Sequence, residues 1–337
     1  MSPRRRILPL FIPFLGCPQQ CVFCDQRRIT GQASMVRGED VKVTLAALPD
    51  GAGYELAFYG GSFTAIPASL QEELLSAALP ARERRAVSSI RISTRPDAVD
   101  EDVLLRLKRF GVGTVELGAQ SMVDSVLARS RRGHTAADTR RSAAAVKEAG
   151  ISLILQMMTG LPGSNDEKDL YTARELIALC PDGVRIYPTV ILRGTELERL
   201  WKAGEYKEHT IEDVVRVCAR ILPMFEASGI PVIRLGLNPT EELSGGVAAG
   251  GAYHPALGEL VRSRILRQMA EELLDRSEFG ERVLLGVSPE RVSAMTGQHR
   301  GNIDFLQEKY RVRELRVVPD PSAGTGILLL REKQSTP

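Results

Sequence analysis

Three cysteines fall within a single short run, Gly16-Cys-Pro-Gln-Gln-Cys-Val-Phe-Cys24. The spacing, C-x3-C-x2-C, puts Cys17, Cys21 and Cys24 on one loop, where crowded thiolates read as metal ligands. A structural zinc takes four protein ligands. No fourth cysteine lies nearby, and the four histidines, His134, His209, His254 and His299, are scattered. Three thiolates instead suit three irons of a 4Fe-4S cluster, one short of the usual four-cysteine set. The fourth iron is then open to a non-protein ligand. A zinc or other metal clip is the alternative. The two remaining cysteines, Cys180 and Cys218, stand alone in apolar helical patterns and read as small buried residues. An odd total of five argues against a disulfide framework.

Something must hold that loop, and the chain supplies a repeated pattern. Short apolar runs closed by Gly, Pro or Ser read as buried parallel strands: Leu8 to Leu15, Tyr54 to Tyr59, Ser89 to Thr94, Thr114 to Gly118, Ser152 to Met157, Gly183 to Ile191 and Pro231 to Leu235. Helical patterns lie between them: Glu39 to Leu48, Ala68 to Ala78, Glu101 to Phe110, Ala136 to Ala149, Asp166 to Leu179 and Ile211 to Ala227. Asp100 and Thr135 are placed to cap two of these helices, and Gly111 and Gly150 to end them. Such alternation predicts an α/β fold with a parallel sheet, here a partial (β/α)6-type, TIM-like barrel. Chemistry in such folds gathers at the carboxyl ends of the strands, where the cysteine loop and several polar residues fall.

The loop, with Phe23 directly before Cys24, resembles the signature of the radical S-adenosylmethionine superfamily. The resemblance implies that the open iron chelates the amino and carboxylate groups of S-adenosylmethionine. It also implies that one electron from the cluster yields a 5'-deoxyadenosyl radical, which takes a hydrogen atom from substrate. The run Phe58-Tyr59-Gly60-Gly61-Ser62-Phe63 is similar to the family's GGE-like motif, whose backbone takes the methionine amino group. Ser62 stands where many members carry Glu, so a backbone role survives and a side-chain role does not.

The strand ends Ile92-Ser-Thr-Arg-Pro-Asp97, Val115-Glu-Leu-Gly-Ala-Gln-Ser121 and Leu155-Gln-Met-Met-Thr-Gly-Leu-Pro-Gly163, with Arg132-Gly-His134 and Arg185-Ile-Tyr-Pro188, extend the likeness. Together they resemble the radical domain of the catalytic subunit of Elongator, a tRNA-modifying enzyme. More distantly they resemble oxygen-independent coproporphyrinogen oxidase. By position, Gln120, Arg132 and Gln156 are candidates for the ribose or carboxylate of S-adenosylmethionine, and a guanidinium suits a carboxylate. Gln156 occupies a place where the porphyrinogen enzyme carries Asp. Glu116 is expected inside the barrel, as a cofactor or substrate ligand or as a partner for Arg95. Tyr187 closes the site or packs, and His134 starts a helix. The cofactor-binding set is therefore Phe23, Gly60, Gly61, Ser62, Glu116, Gln120, Arg132 and Gln156, with no catalytic residue assigned.

The expected division is a core over residues 1–240 and a small α/β extension over 241–337. The glycine-rich segment Ser244 to Ala252 opens the extension. A helix follows (Pro255 to Leu274), then strand, two helices and two strands, ending at Leu330. Met295-Thr-Gly-Gln-His-Arg-Gly-Asn-Ile303 resembles the loop of a KH-type RNA-binding half, with Arg300 at the second glycine of G-x-x-G. An ordinary cap on the barrel is the alternative. The extension lacks the pattern of the acetyltransferase domain that follows the radical domain in Elongator, so acyl transfer is not carried over.

Composition sets limits. An apolar fraction of 43% and a charged fraction of 26% exclude wholesale disorder. No run approaches the roughly 20 apolar residues of a membrane span, and no signal peptide is read, so a cytoplasmic protein is expected. A net charge of +2 is too balanced to argue for nucleic acid alone. The resemblance implies a 4Fe-4S cluster, S-adenosylmethionine and a flavodoxin- or ferredoxin-type electron donor. The expected substrate is tRNA, with a tetrapyrrole or other small molecule second. From another class comes a non-catalytic, metal-clipped RNA-binding protein.

Overall fold

The structure is a computed structural model. It describes residues 6–12, 17, 21–25, 36–237 and 246–330. The chain packs as two compact units, Met1–Val214 with Ile221–Pro255, and Val215–Arg220 with Ala256–Pro337.

The first unit is built on β1 (Ile7–Phe11), β2 (Tyr54–Tyr59), β3 (Val87–Thr94), β4 (Val112–Gln120), β5 (Ser152–Thr159), β6 (Gly183–Pro188) and β8 (Val232–Leu235). They form one seven-stranded sheet in the order β1-β2-β3-β4-β5-β6-β8. Every pairing in it is parallel. Side chains from β1 and from β8, the two edges, line one common cavity, so the sheet curls. Six helical crossovers join seven strands, and the partial barrel expected from the alternation is what forms.

Local chemistry explains the helix boundaries. Asp100 accepts from the Val103 amide at 2.8 Å. Thr135 and Asp138 form a reciprocal capping box. Gly111 and Gly150 take φ of +69° and +72° at the helix ends. The expected sixth strand breaks in two at Pro188-Thr189. Its second part, β7 (Val190–Leu192), pairs antiparallel with β9 (Ala248–Gly251). Part of the glycine-rich segment is thus a strand, and residues 238–245 lie outside the described residues. Strand β1 ends at Phe11, and residues 13–16 of the longer expected strand are also outside them.

Outward-facing side chains make the apolar core. Leu56, Phe58, Ile90, Ile92, Val115 and Leu117 have no exposed surface. The inward face differs. A closed barrel of this type fills its centre with branched apolar residues, whereas here Glu55, Arg91, Glu116, Gln156 and Arg185 occupy inner positions, and most are buried. That polar interior leaves the cavity.

The second unit has a three-stranded sheet, order β11-β10-β12, from β10 (Arg282–Val287), β11 (Glu314–Pro319) and β12 (Leu328–Leu330). The β10–β11 pair is parallel and the β10–β12 pair antiparallel. Leu266, Leu285, Met295 and Leu306 anchor its core. Asn302 donates to the carbonyls of Ser263 and Met295 and so fixes the turn that begins at Gly297. Arg300, at the second-glycine position of the KH-like run, itself takes φ +64°.

Candidate functional site

The cavity at the carboxyl ends of the strands has a volume of about 670 Å³. Its wall includes Cys17, Cys24, Gly60, Gly61, Glu116, Gln120, Arg132 and Gln156. Residues far apart in sequence and singled out above thus share one space.

The apolar residues inside the cysteine run hold the loop. The Val22 amide donates to the Ser130 carbonyl at 3.2 Å, and the Val22 carbonyl accepts from the Leu197 amide at 2.7 Å. Val22 is buried against Ile191, Leu197 and Tyr206, and Phe23 packs on the same cluster. Phe23 is therefore an anchor of the loop, away from the cavity wall. The Cys24 amide donates to the Cys21 carbonyl at 3.0 Å, closing a tight turn between two thiols.

The thiols feel one another. Burial raises Cys17, the neighbouring Cys21 adds to this, and Arg132 and the Ser62 backbone amide oppose it. Burial and then the other two cysteines push Cys24 up to about 12. Arg132 answers this crowding. Its Nη1 donates to Cys21 Sγ at 3.2 Å and its Nη2 to the Gly118 carbonyl at 2.8 Å. A Cβ at Gly118 would stand 3.3 Å from that Nη2 and 2.9 Å from Gln120 Nε2, so only glycine gives this crossing full room.

Gly60 takes φ +92° at the end of β2 and turns the backbone into the cavity. Ser62 does not face the cavity. It is 1% exposed, its hydroxyl lies 3.0 Å from the Thr94 hydroxyl, and it accepts from the Arg95 amide at 3.2 Å. Thr64 and Thr94 share a further bond of 2.6 Å. The serine side chain is consumed in bracing the turn.

Glu116 organises the floor. Its Oε1 accepts from Arg91 at 2.6 Å, Arg185 at 3.0 Å and Tyr59 at 3.1 Å, and its Oε2 from Gln156 at 2.9 Å. Burial would raise this carboxyl, but Arg185 and Arg91 outweigh it and hold it below the ordinary range. Arg91 also reaches Glu55 at 2.9 Å. The expected partner of Glu116 is corrected here. Arg95 instead pairs with Asp97 at 2.8 Å. The alternation and register of β3 through β6 bring Arg91 and Arg185 to Glu116 and leave Arg95 a layer above. Tyr59, Arg91 and Arg185 escaped the sequence reading, although a charged residue inside an apolar parallel strand is itself a signal of an inward partner.

His134 lies buried before the capped helix at Thr135, and its Nε2 is 3.2 Å from the Ala119 carbonyl. Burial and Arg132 lower it to about 4, so it stands neutral. Tyr187 lines the cavity. Cys218 is buried as expected, but Cys180 is exposed. It follows the helix Asp166–Ala178 with φ +46°, in the turn that leaves the helix.

The donor set suits a cluster better than a single ion. A lone zinc draws its ligands to one point, within about 2.3 Å of the metal. Among the described residues, no three His, Cys, Asp or Glu side chains are so arranged. Each thiolate of a cluster holds its own iron, which asks only that the three face one space. Among the described residues, Gln120 Oε1 and Arg132 Nε at that end lack a hydrogen-bond partner, and so do Arg91 Nε and Arg185 Nε on the floor, so atoms able to receive a ligand occur along the cavity.

Comparison with known proteins agrees with this construction. Residues 11–176 match the Radical SAM superfamily, and residues 181–267 match the Radical SAM C-terminal domain. A "tRNA uridine(34) acetyltransferase" of Methanocaldococcus infernus is 29% identical over 227 residues, covering 61% of this chain and 42% of the relative. An "Elongator complex protein 3" of Schizosaccharomyces pombe is 29% identical over 264 residues, covering 77% and 47%. The chain thus spans less than half the length of these curated relatives. Among solved structures, archaeal Elp3 from Methanocaldococcus infernus superposes with a TM-score of 0.61 at 23% identity, over 80% of this chain and 64% of that one. Coproporphyrinogen III oxidase from Escherichia coli gives 0.53 at 19% identity, over 67% and 53%. No described helix is long and apolar enough to cross a membrane.

Proposed function

Because the chain belongs to the radical S-adenosylmethionine superfamily, we propose that Cys17, Cys21 and Cys24 hold a 4Fe-4S cluster beside S-adenosylmethionine, and that the enzyme modifies a tRNA nucleoside. When bound, this pair supplies one-electron cleavage of the cofactor and a carbon radical able to take a hydrogen atom from substrate. The observation that carries the reading is that Cys17 and Cys24 line one cavity with Gly60, Gly61, Gln120 and Arg132, while Arg132 also reaches Cys21.

The protein's own residues have separable tasks. Arg132 offsets the negative charge of the thiolates and turns toward a cofactor carboxylate. The turn at Gly60 and Gly61, braced by Ser62 and Thr94, presents backbone to the methionine amino group. Gln120 and Gln156 offer amides to the ribose. Glu116 is tied by four donors and acts as the strut that orients Gln156 and Tyr59. A flavodoxin- or ferredoxin-type protein delivers the electron. Residues 1–240 carry the chemistry in this reading, and 241–337 form the extension.

Support for tRNA comes from the relatives named above. The test is anaerobic incubation of the iron- and sulfide-loaded full chain with S-adenosylmethionine, dithionite and ribose- or base-deuterated tRNA. Deuterium in 5'-deoxyadenosine is expected. Cofactor cleavage with no label from tRNA would refute the tRNA substrate, and no cleavage at all would refute the radical chemistry.

A further inference from the structure

Beside Arg185 of the charged floor stands a second cation that, among the described residues, has no carboxylate partner. The register pairs Arg185 of β6 directly with Arg234 of β8. Both line the cavity, with Tyr187 two residues beyond Arg185 on the same face. Within the floor the charges cancel, Glu55 and Glu116 against Arg91 and Arg185. Arg132 is turned to the cysteines. Arg234 differs. Its Nε and Nη2 donate to the Gly236 and Leu237 carbonyls at 3.1 and 3.0 Å, and among the described residues no carboxylate pairs with it. Those two bonds fix the plane of the guanidinium, and no carboxylate of the described residues neutralises its charge.

The facing edge of the cavity is of another kind. Ile7, Pro9 and Phe11 of β1 line it, and the Phe11 ring is 6.4 Å from the Tyr59 ring. One mouth therefore carries an apolar, partly aromatic wall on the β1 side and, on the β8 side, a guanidinium with no carboxylate partner among the described residues. A planar ring joined to an oxyanion matches both. Tyr187 lines the same cavity as Arg185 and Arg234, two residues beyond Arg185 on the same strand face, and its phenol is a hydrogen-bond donor for the same oxyanion.

From this geometry we infer that Arg234, with Tyr187, forms a phosphate subsite for a ribonucleotide whose base lies toward Phe11 and Tyr59. The inference rests on the reading of the cavity as the radical site and specifies what enters it. The shared chemistry is a nucleotide phosphate, from either a free mononucleotide or a phosphodiester within an RNA strand.

The experiment measures binding of three probes to the reconstituted full chain across a salt series: uridine, uridine 5'-monophosphate and a short uridine-containing RNA. Removing one phosphate contact lowers the slope of log affinity against log salt by somewhat less than one for a single strand, and by less again for a mononucleotide, which carries no condensed counterions and feels only screening. Arg234→Ala is expected to weaken a phosphate-bearing probe about tenfold and to flatten its salt slope, with uridine unchanged. Arg234→Lys keeps most of the slope, because the charge remains. The exposed Arg109→Ala serves as control and leaves every slope as it was. Flattening with the RNA alone identifies an internal phosphodiester, and flattening with the monophosphate as well identifies a free nucleotide as sufficient. Equal weakening of uridine and its monophosphate, or an unchanged slope in Arg234→Ala, overturns the inference. Wild-type enzyme assayed for 5'-deoxyadenosine in parallel separates the two claims, since its failure to cleave S-adenosylmethionine would defeat the radical reading itself.

Discussion

On the floor of the cavity Glu116 meets two guanidinium groups, a phenol and an amide, while at the cysteine end one guanidinium, Arg132, donates to Cys21 in a wall that also holds Cys17 and Cys24. The first arrangement is matched in charge, although the buried Nε atoms of Arg91 and Arg185 lack a hydrogen-bond partner. Its charges cancel, and the carboxyl is held ionised by Arg185 and Arg91 against the pull of burial. In the second, burial drives Cys17 and Cys24 toward the neutral thiol, and Gln120 and Arg132 keep buried atoms without partners. Polar groups that satisfy one another rigidify a structure. The comparison separates scaffold from reaction centre within one cavity, and substitutions at the two ends should fail in different ways.

The largest effect belongs to the floor. Glu116→Ala leaves Arg91 and Arg185 buried without their shared carboxylate, and breaking a buried pair this way costs about 3–5 kcal/mol. Chemical denaturation of the metal-free protein should show this loss. A change below about 1 kcal/mol would mean that the cluster of charges is not structural.

A smaller effect lies in the loop after β5. Asp169 is 2% exposed, accepts from the Gly160 amide at 3.0 Å and the Ser164 hydroxyl at 2.5 Å, and is raised by burial to about 7. Between its ordinary 3.8 and about 7 the unfolded chain releases a proton that the folded chain keeps. The contribution is thus complete below the lower value and is lost as pH rises through the higher one. The full shift corresponds to at most about 4 kcal/mol over that window, and Asp169→Asn should flatten it. Equal slopes in the two proteins would contradict the assignment.

The smallest stability effect is expected at the cysteine end. Cys24→Ala should move the metal-free protein by no more than about 1 kcal/mol, because no floor contact depends on it. Its chemistry is more telling. In metal-free protein Cys24 stays a thiol far above neutrality, so alkylation at mildly alkaline pH should spare it and modify the exposed Cys180 first, as peptide mass spectrometry would show. Rapid modification of Cys24 would mean that the loop is more open than described.

Much of this was legible in the chain. The strand and helix alternation, the caps at Asp100 and Thr135, and the cysteine loop are local signals, each contained in a few residues. Partner choice was not. Whether Glu116 pairs with Arg91, Arg95 or Arg185 depends on the register of four strands, which no local pattern records. Cys180 was misread as buried because its apolar neighbours continue the helical period, while the backbone turns out of the helix just before it. Ser62 stands where many members of the family carry Glu, and its partners, Thr94 and Arg95, lie more than thirty residues away.

The central claim is that three thiols hold a cluster and leave one iron open. Oxygen-free reconstitution of the full chain, with iron and sulfide counted and the reduced sample examined by electron paramagnetic resonance before and after S-adenosylmethionine, tests it most directly. The account predicts about four irons and four sulfides per chain, a signal that changes when the cofactor binds, and loss of both in Cys17→Ala, Cys21→Ala and Cys24→Ala alike. A single divalent ion per chain, or a cluster that persists in any one of these variants, would contradict it.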